Sequence, residues 1–347
     1  MRLGLRAGSV LEWVALRVGL VPTPAAEAWG GMALSGVLGA ATRLGVTDRL
    51  AAGPAGVDEL AAELGLHPTP LRLMLDCLRS TGYVTLRSGR YRLARSARRW
   101  LDPASDLSVA RFVAGTGDYW SWWAELPEII RTGTPSGHHD APPDDPYWRR
   151  YITGQLELAR LSADEVAARL AVPAGARSVL DVGGGHGWYS VQLCRRHPKL
   201  RSLVVDLPGS ARIGREIVAG AGMAERVTYR EGDALTAEFD GPHDLALCFN
   251  LVHHLAEDQV IELLRRIRAA LAPTGRLAIL DGFADPDGRG SAAGHFLGLF
   301  AYLSSGSRAY APDQLRAWLD RTGFDHPRRV AVRRIPGLRL YQCGVRA

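Results

Sequence analysis

Asp181, Gly183, Gly185 and Gly187 stand at alternate positions in the run Ser178 to Ser190, SVLDVGGGHGWYS. Val179-Leu180-Asp181-Val182 reads as a short strand, and WYSVQLCRR from Trp188 reads as the helix that follows the turn. Glycines lack Cβ, so such a bend can be sharp and can lie close to a ligand. The helix start then offers unpaired N–H groups to a polar or anionic group. Strand, glycine turn and helix together open a nucleotide-binding α/β unit. Two further acids close apolar runs, Asp206 after Arg201 to Val205 and Asp233 after Val227 to Gly232. An acid at such a strand end can accept hydrogen bonds from ribose hydroxyls. Downstream, the segment Phe249 to Asp258 carries adjacent His253 and His254, and Asp281 ends the run Gly275 to Leu280. An imidazole can take the proton of a hydroxyl, and a carboxylate on its other nitrogen would fix its tautomer.

The dinucleotide fingerprint G-x-G-x-x-G fails, because position 188 is Trp. The pattern present, D-x-G-x-G-x-G, resembles motif I of the class I S-adenosylmethionine (SAM) methyltransferases. The resemblance implies SAM as cofactor and S-adenosylhomocysteine as its product. It implies Asp206 on the ribose, Asp233 by the adenine amino group, and Gly183 and Gly185 at the methionine end. Asp181, Leu207, Ala234, Phe249 and Asn250 complete the expected cofactor set.

A chain of 347 residues with 47% hydrophobic content is long enough for two domains with sizeable cores. The net charge of +6 comes mainly from arginines spread along the whole chain, which reads as a solvated basic surface. Cys77, Cys194, Cys248 and Cys343 form no C-x-x-C pair, so neither a zinc site nor a disulfide framework is expected. Four buried thiols in a reducing cytoplasm is the simple reading. The N-terminal run to Leu20 is interrupted by Glu12 and Arg17, and reads as an amphipathic helix that packs on a partner surface. No apolar run is long enough to span a membrane.

Three segments follow from the pattern: 1–105, 106–171 and 172–347. Ala25 to Ala52 reads as small-residue helices ending at Gly45 and Gly53. Helices stopped near Gly65 and Gly82 precede a hairpin about Ser88-Gly89. Helix, helix and hairpin resembles a winged helix-turn-helix. Arg87, Arg90, Arg92, Arg95, Arg98 and Arg99 lie on or after the wing, so the segment alone would support a DNA-binding regulator. The rest of the chain argues against nucleic acid, since small-molecule O-methyltransferases use such a domain to dimerise. In the middle segment, Tyr119, Trp120, Trp122 and Trp123 form one aromatic group, and Tyr147, Trp148 and Tyr151 another. Such rings can wall a pocket for an aromatic substrate or simply form core. His138, His139 and Asp140, on a Pro-rich loop, read as solvated rather than metal-binding. Ser162 to Glu165 reads as a capping box.

From Arg177 onward strands alternate with helices. The last two strands are expected at Arg329 to Arg333 and Leu338 to Val345, joined tightly at Pro336-Gly337. Phe249 to Asp258 resembles the L-H-D-W-x-D-E segment of the caffeate-type plant O-methyltransferases and their bacterial polyketide-tailoring relatives. That resemblance covers nearly the whole chain. It implies an α/β fold, a Rossmann-like seven-stranded class I methyltransferase sheet with an N-terminal all-α winged-helix dimerisation domain. It also implies a cytoplasmic homodimer that methylates a small, aromatic or polyketide-type acceptor, with His253 as general base and Asp281 orienting it. Trp120, Trp123, His254, His295, Phe296 and Leu299 are the expected substrate-side residues. His254 replaces the family Asp and Leu255 its Trp. Tyr310-Ala311-Pro312 replaces R-T-E, which leaves a second orienting acid missing or displaced to Asp313. No metal is expected, but His253 or His254 with Asp281 and His295 could form an iron-type facial triad. Such a member could also C-methylate, hydroxylate or run a pericyclic step.

Overall fold

The computed structural model describes residues 7–135, 141–284, 292–334 and 337–346. The chain divides into two compact units, Met1–Trp120 and Ser121–Ala347. The first unit is helical apart from one hairpin. Its helices Val57–Leu64 and Pro68–Ser80 are followed by β1 (Val84–Arg87) and β2 (Arg90–Leu93). Ser88 and Gly89 turn the hairpin with consecutive left-handed backbones, φ 48° and 74°, the mirror-image turn that suits strand twist. The hairpin stands where the sequence pattern expects it, about Ser88-Gly89. Leu71, Leu75 and Leu78 face its core from Pro68–Ser80, with Leu50, Leu60 and Tyr91 opposite. Cys77 lies off that stripe and is exposed, so three of the four thiols are buried rather than all four. Two of the hairpin-side arginines are already paired, Arg90 with Glu59 at 2.9 Å and Arg98 with Asp102 at 3.2 Å.

The helix Val10–Arg17 buries no residue. Leu11 is 83% exposed, and Trp29 on the next helix, Thr23–Arg43, is 71% exposed. Apolar side chains this open form a face that water solvates poorly.

The second unit is a seven-stranded sheet flanked by helices. Its strands are β3 (Ser178–Val182), β4 (Arg201–Asp206), β5 (Val227–Glu231), β6 (His243–Phe249), β7 (Leu271–Gly282), β8 (Arg328–Val330) and β9 (Leu338–Gly344). They lie in the order β5-β4-β3-β6-β7-β9-β8. β3 to β7 are parallel, and β9 runs antiparallel to both β7 and β8. Period-two alternation sorts the core: Leu180, Ala246 and Cys248 face one helical layer, Val179, Leu245 and Leu247 the other. Strand order reverses about β3, and a crevice at the carboxyl edge of the sheet is the consequence.

Two local expectations fail here for one reason. β8 ends at Val330 rather than Arg333, because the amides of Arg333 and Arg334 donate to the Glu165 carboxylate at 3.1–3.2 Å instead of joining the ladder. Glu165 is thereby taken from the capping box. Ser162 does sit at the N-cap of Ala163–Arg169, but its hydroxyl pairs with Tyr189 at 3.3 Å and caps nothing. Pro336, of the expected tight turn, lies outside the described residues.

Candidate active site

The glycine bend follows β3 and is fixed from both sides. Gly183 donates its amide to Val205 of β4 at 2.8 Å. Gly185, with φ 49°, donates its amide to Asp206 Oδ2 at 2.6 Å, and Leu207 donates to Asp206 Oδ1 at 2.7 Å. The two amides aim the carboxylate. Burial pushes the Asp206 pKa up, and the Gly185 and Leu207 amides oppose that rise. Both Asp206 and the bend lie at the carboxyl edge of adjacent strands.

Asp181, expected beside the cofactor, is only 1% exposed. It points to the face of the sheet under the bend, where Ser190 donates to its Oδ2 at 2.6 Å and in turn meets Ser202 at 2.8 Å. A Cβ on Gly184 would come within 2.6 Å of its carboxyl carbon. Asp181 is therefore a strut beneath the turn. Burial pushes its pKa up to about 7, against the Ser190 hydrogen bond. Phe249 is likewise core, with its ring edge-on to Tyr189 at 4.9 Å, so its side chain is turned from the crevice. Asp233 is exposed after β5 and accepts the amide of Leu235 at 2.7 Å, and Ala234 beside it packs partly on the core. Asn250 is exposed after β6 in a left-handed backbone, φ 52°, held by its amide on the Leu280 carbonyl at 2.7 Å.

His253 and Asp281 come together from the ends of β6 and β7. The His253 ring Nδ1 donates to Asp281 Oδ1 at 2.6 Å, and its backbone amide to Asp281 Oδ2 at 3.3 Å. Gly282 adds a third donor, from its amide to Oδ1 at 2.7 Å. A carboxylate that accepts at Nδ1 places the lone pair on Nε2. The Asp281 carboxylate is almost fully buried and His253 nearly so. His254 packs against His253, ring centroids 4.1 Å apart, and its Nδ1 meets Ser305 Oγ at 3.3 Å. Asp313 is not a second orienting acid: it is exposed and paired with Arg316. Tyr310 instead donates its hydroxyl to the Leu255 carbonyl at 2.7 Å, which fastens the far end of the histidine segment.

Helix Ala292–Ser305 carries His295 and Phe296 on exposed positions and Leu299 half-buried. Its Phe300 stacks on Trp122 at 5.4 Å and lies 6.4 Å from Trp123. Tyr147 stacks on Tyr151 at 5.4 Å and reaches Trp122 at 6.5 Å, so the two aromatic groups meet in one cluster. Trp120 belongs to the first unit and is half-exposed. Among the described residues no three His, Cys, Asp or Glu side chains converge on a point that could hold a metal, so the facial triad is not assembled. His138, His139 and Asp140 lie outside the described residues.

A residue that a reading of motifs misses is Gly209, the partner of Trp148 from the second aromatic group. A Cβ on Gly209 would come within 2.3 Å of the Trp148 indole, so glycine is what lets that ring seat on the start of helix Pro208–Gly220. The only signal is a glycine just after the Leu207-Pro208 that follows Asp206. His186, within the glycine run, is buried and accepts the amide of Trp188 at 3.0 Å. Burial, with Arg160 nearby, pushes its pKa down to about 4.

Residues 133–325 match the O-methyltransferase domain family model. The chain belongs to the O-methyltransferase family. Residues 26–103 of this O-methyltransferase match the family's dimerisation domain. It is 28% identical to the 3-hydroxy-5-methyl-1-naphthoate 3-O-methyltransferase of Streptomyces sahachiroi, over 94% of this chain and 96% of that one. It is 31% identical to the aclacinomycin 10-hydroxylase of Streptomyces purpurascens, over 72% of this chain and 70% of that one. Its fold superposes on the mitomycin 7-O-methyltransferase MmcR with a TM-score of 0.82 at 25% identity, covering 98% of this chain and 100% of that one.

Asp181 makes stability depend on pH in a defined sense. Its folded pKa lies above the usual value of 3.8, so the folded state keeps the proton longer. Stability from this group is full at low pH and is lost as pH rises through about 7. His186, with its lowered pKa, acts in the opposite sense, so the comparison must be between variants. The melting temperature of Asp181→Asn should gain on wild type between about pH 5 and about pH 8. A constant difference across that range contradicts the buried-acid assignment.

Proposed function

We propose that this O-methyltransferase moves a methyl group from SAM to a hydroxyl of a small aromatic or polyketide-type natural product, with His253 as the general base. The observation that carries the reading is the His253–Asp281 contact at the carboxyl edge of the same sheet that holds the glycine bend. Asp206 would hold the ribose, Asp233, Leu207 and Ala234 the adenine end, and Gly183, Gly185 and Asn250 the methionine end. The donor set fits: an aimed carboxylate at Asp206, an exposed Asp233, and a bend without side chains between them. SAM, when bound, supplies an electrophilic sulfonium methyl for in-line displacement.

A neutral hydroxyl is a poor nucleophile, and Nε2 of His253 takes its proton as the oxygen reacts. Asp281 holds the ring in the tautomer that leaves Nε2 bare and stabilises the imidazolium that forms. Trp123, Tyr147 and Phe300, backed by the buried Trp122, would offer flat apolar surface to the acceptor, and His254, His295, Phe296 and Leu299 are further acceptor-side residues in this reading. Orientation of the oxygen toward the methyl contributes much of the remaining acceleration. In chain order, residues 1–105 are the dimerising segment, 106–171 supply acceptor-side residues, and 172–347 bind the donor. Among the described residues no helix is long and apolar enough to cross a membrane. We place the enzyme in the cytoplasm, the compartment that keeps buried thiols such as Cys194, Cys248 and Cys343 reduced.

The similarity to a hydroxylase favours one second reading, in which the donor site is kept and the acceptor is hydroxylated by molecular oxygen, with an added two-electron thiol reductant taking the second oxygen atom to water. A product heavier by a methylene unit supports methyl transfer, and one heavier by an oxygen atom supports the second reading.

Calorimetry of pure protein should show saturable binding of SAM and of S-adenosylhomocysteine; no heat at millimolar ligand rejects the donor assignment. His253→Ala should lower turnover on a phenolic acceptor by about 10²-fold or more, and Asp281→Asn by about 10²- to 10⁴-fold. Near-wild-type rates remove the pair from the mechanism. Leu11→Asp combined with Trp29→Asp should weaken self-association by roughly 10-fold or more, read by sedimentation. An unchanged dimer would place the interface elsewhere.

A further inference from the structure

We propose that Tyr229 is a positioning residue for the donor site, its hydroxyl threaded between two glycines to hold the carbonyl of Gly185. The proposal rests on the reading of the glycine bend as the SAM site. Tyr229 lies on β5, two strands away from the bend, and pairs in register with Val204 of β4. Its hydroxyl donates to the Gly185 carbonyl at 3.0 Å. The Gly185 amide donates to Asp206 at 2.6 Å. Both polar groups of this one residue are therefore committed, its N–H to the ribose acid and its C=O to the tyrosine.

The space for this contact exists only because two positions lack a side chain. A Cβ on Gly187 would lie 2.3 Å from the Tyr229 hydroxyl oxygen. On Gly214, of helix Pro208–Gly220, it would lie 2.4 Å from the same oxygen and 2.3 Å from the Gly185 carbonyl oxygen. Gly187 belongs to the motif, but Gly214 belongs to no donor-binding pattern, and its glycine is explained by the slot. The Arg215 guanidinium lies 6.0 Å from the centre of the tyrosine ring and is itself tied to Glu231. Burial, with Asp181 and Asp206 nearby, keeps the hydroxyl protonated and so a donor.

A left-handed Gly185 is one of several conformations open to glycine in a ligand-free loop. Fixing its carbonyl removes the others before the donor arrives, and the cost of ordering is not charged to binding. Because Asp206 is aimed by the Gly185 amide, the tyrosine acts on the ribose acid through the bend without touching the donor.

The test is Tyr229→Phe, which keeps the ring and deletes the hydroxyl. S-adenosylhomocysteine should bind about 5- to 15-fold more weakly by calorimetry, the loss of one buried neutral hydrogen bond. The donor KM should rise in parallel, with kcat and the acceptor KM within about twofold of wild type. Amide exchange over residues 183–187 should quicken in the ligand-free variant. Should the phenylalanine variant fail to fold, the Tyr229 hydroxyl proton of the ligand-free wild type is read by NMR instead: slow exchange with water is expected, and rapid exchange overturns the contact. Unchanged donor affinity in the folded variant overturns the role of Tyr229. Failure of the wild-type protein to bind S-adenosylhomocysteine is a different result and overturns the donor site itself.

Discussion

The buried contact between the His253 imidazole and the Asp281 carboxylate is the constraint around which the site is built. It joins the loop after β6 to the end of β7, and it does so with three donors on one carboxylate. Loss of the Asp281 carboxylate leaves the nearly buried His253 Nδ1–H without its acceptor, at a cost of about 1–3 kcal/mol. The same contact decides which ring nitrogen is bare, so a fold-stabilising interaction and the chemistry of the base are one feature. Everything else at the edge of the sheet stands in relation to it: the bend after β3, Asp206 at the end of β4 and the aromatic cluster beside helix Ala292–Ser305.

Parallel strand order brings these groups together from positions far apart in the chain. Asp181, Asp206, Asp233, His253 and Asp281 each stand at or just beyond the carboxyl end of a different strand. Their convergence on one edge follows from topology, because every parallel strand delivers its end to the same side. Beneath the edge, a second set of contacts holds the bend from below: Asp181 on Ser190 and Tyr229 on the Gly185 carbonyl. A loop that must meet a ligand with bare backbone has few side chains of its own to brace it, and the bracing comes from neighbouring strands.

Much of this was legible from residue pattern. Strand ends at Asp206 and the helix Trp188–Arg196 were placed to the residue, because apolar runs there are bounded by glycines or acids. The pairing of His253 with Asp281 was also anticipated, on the resemblance rather than on spacing. What escaped was decided by partners distant in sequence. Ser162 and Glu165 have the spacing of a cap, yet Tyr189 and the backbone at Arg333 and Arg334 take them. Asp181 carries the motif's acid, but alternation along β3 turns it to the face occupied by Ser190. Phe249 follows the same rule and goes to the core. Nothing local marks Tyr229 or Gly214, whose meaning appears only when two strands and a helix are stacked.

The most direct measurement of the central claim is nitrogen-15 NMR of the His253 ring in the free enzyme at neutral pH, assigned by comparison with His253→Ala. The account predicts a protonated Nδ1, hydrogen-bonded to the Asp281 carboxylate, and a bare Nε2 facing the acceptor. A proton found on Nε2, with Nδ1 bare, would contradict it and remove His253 as the base.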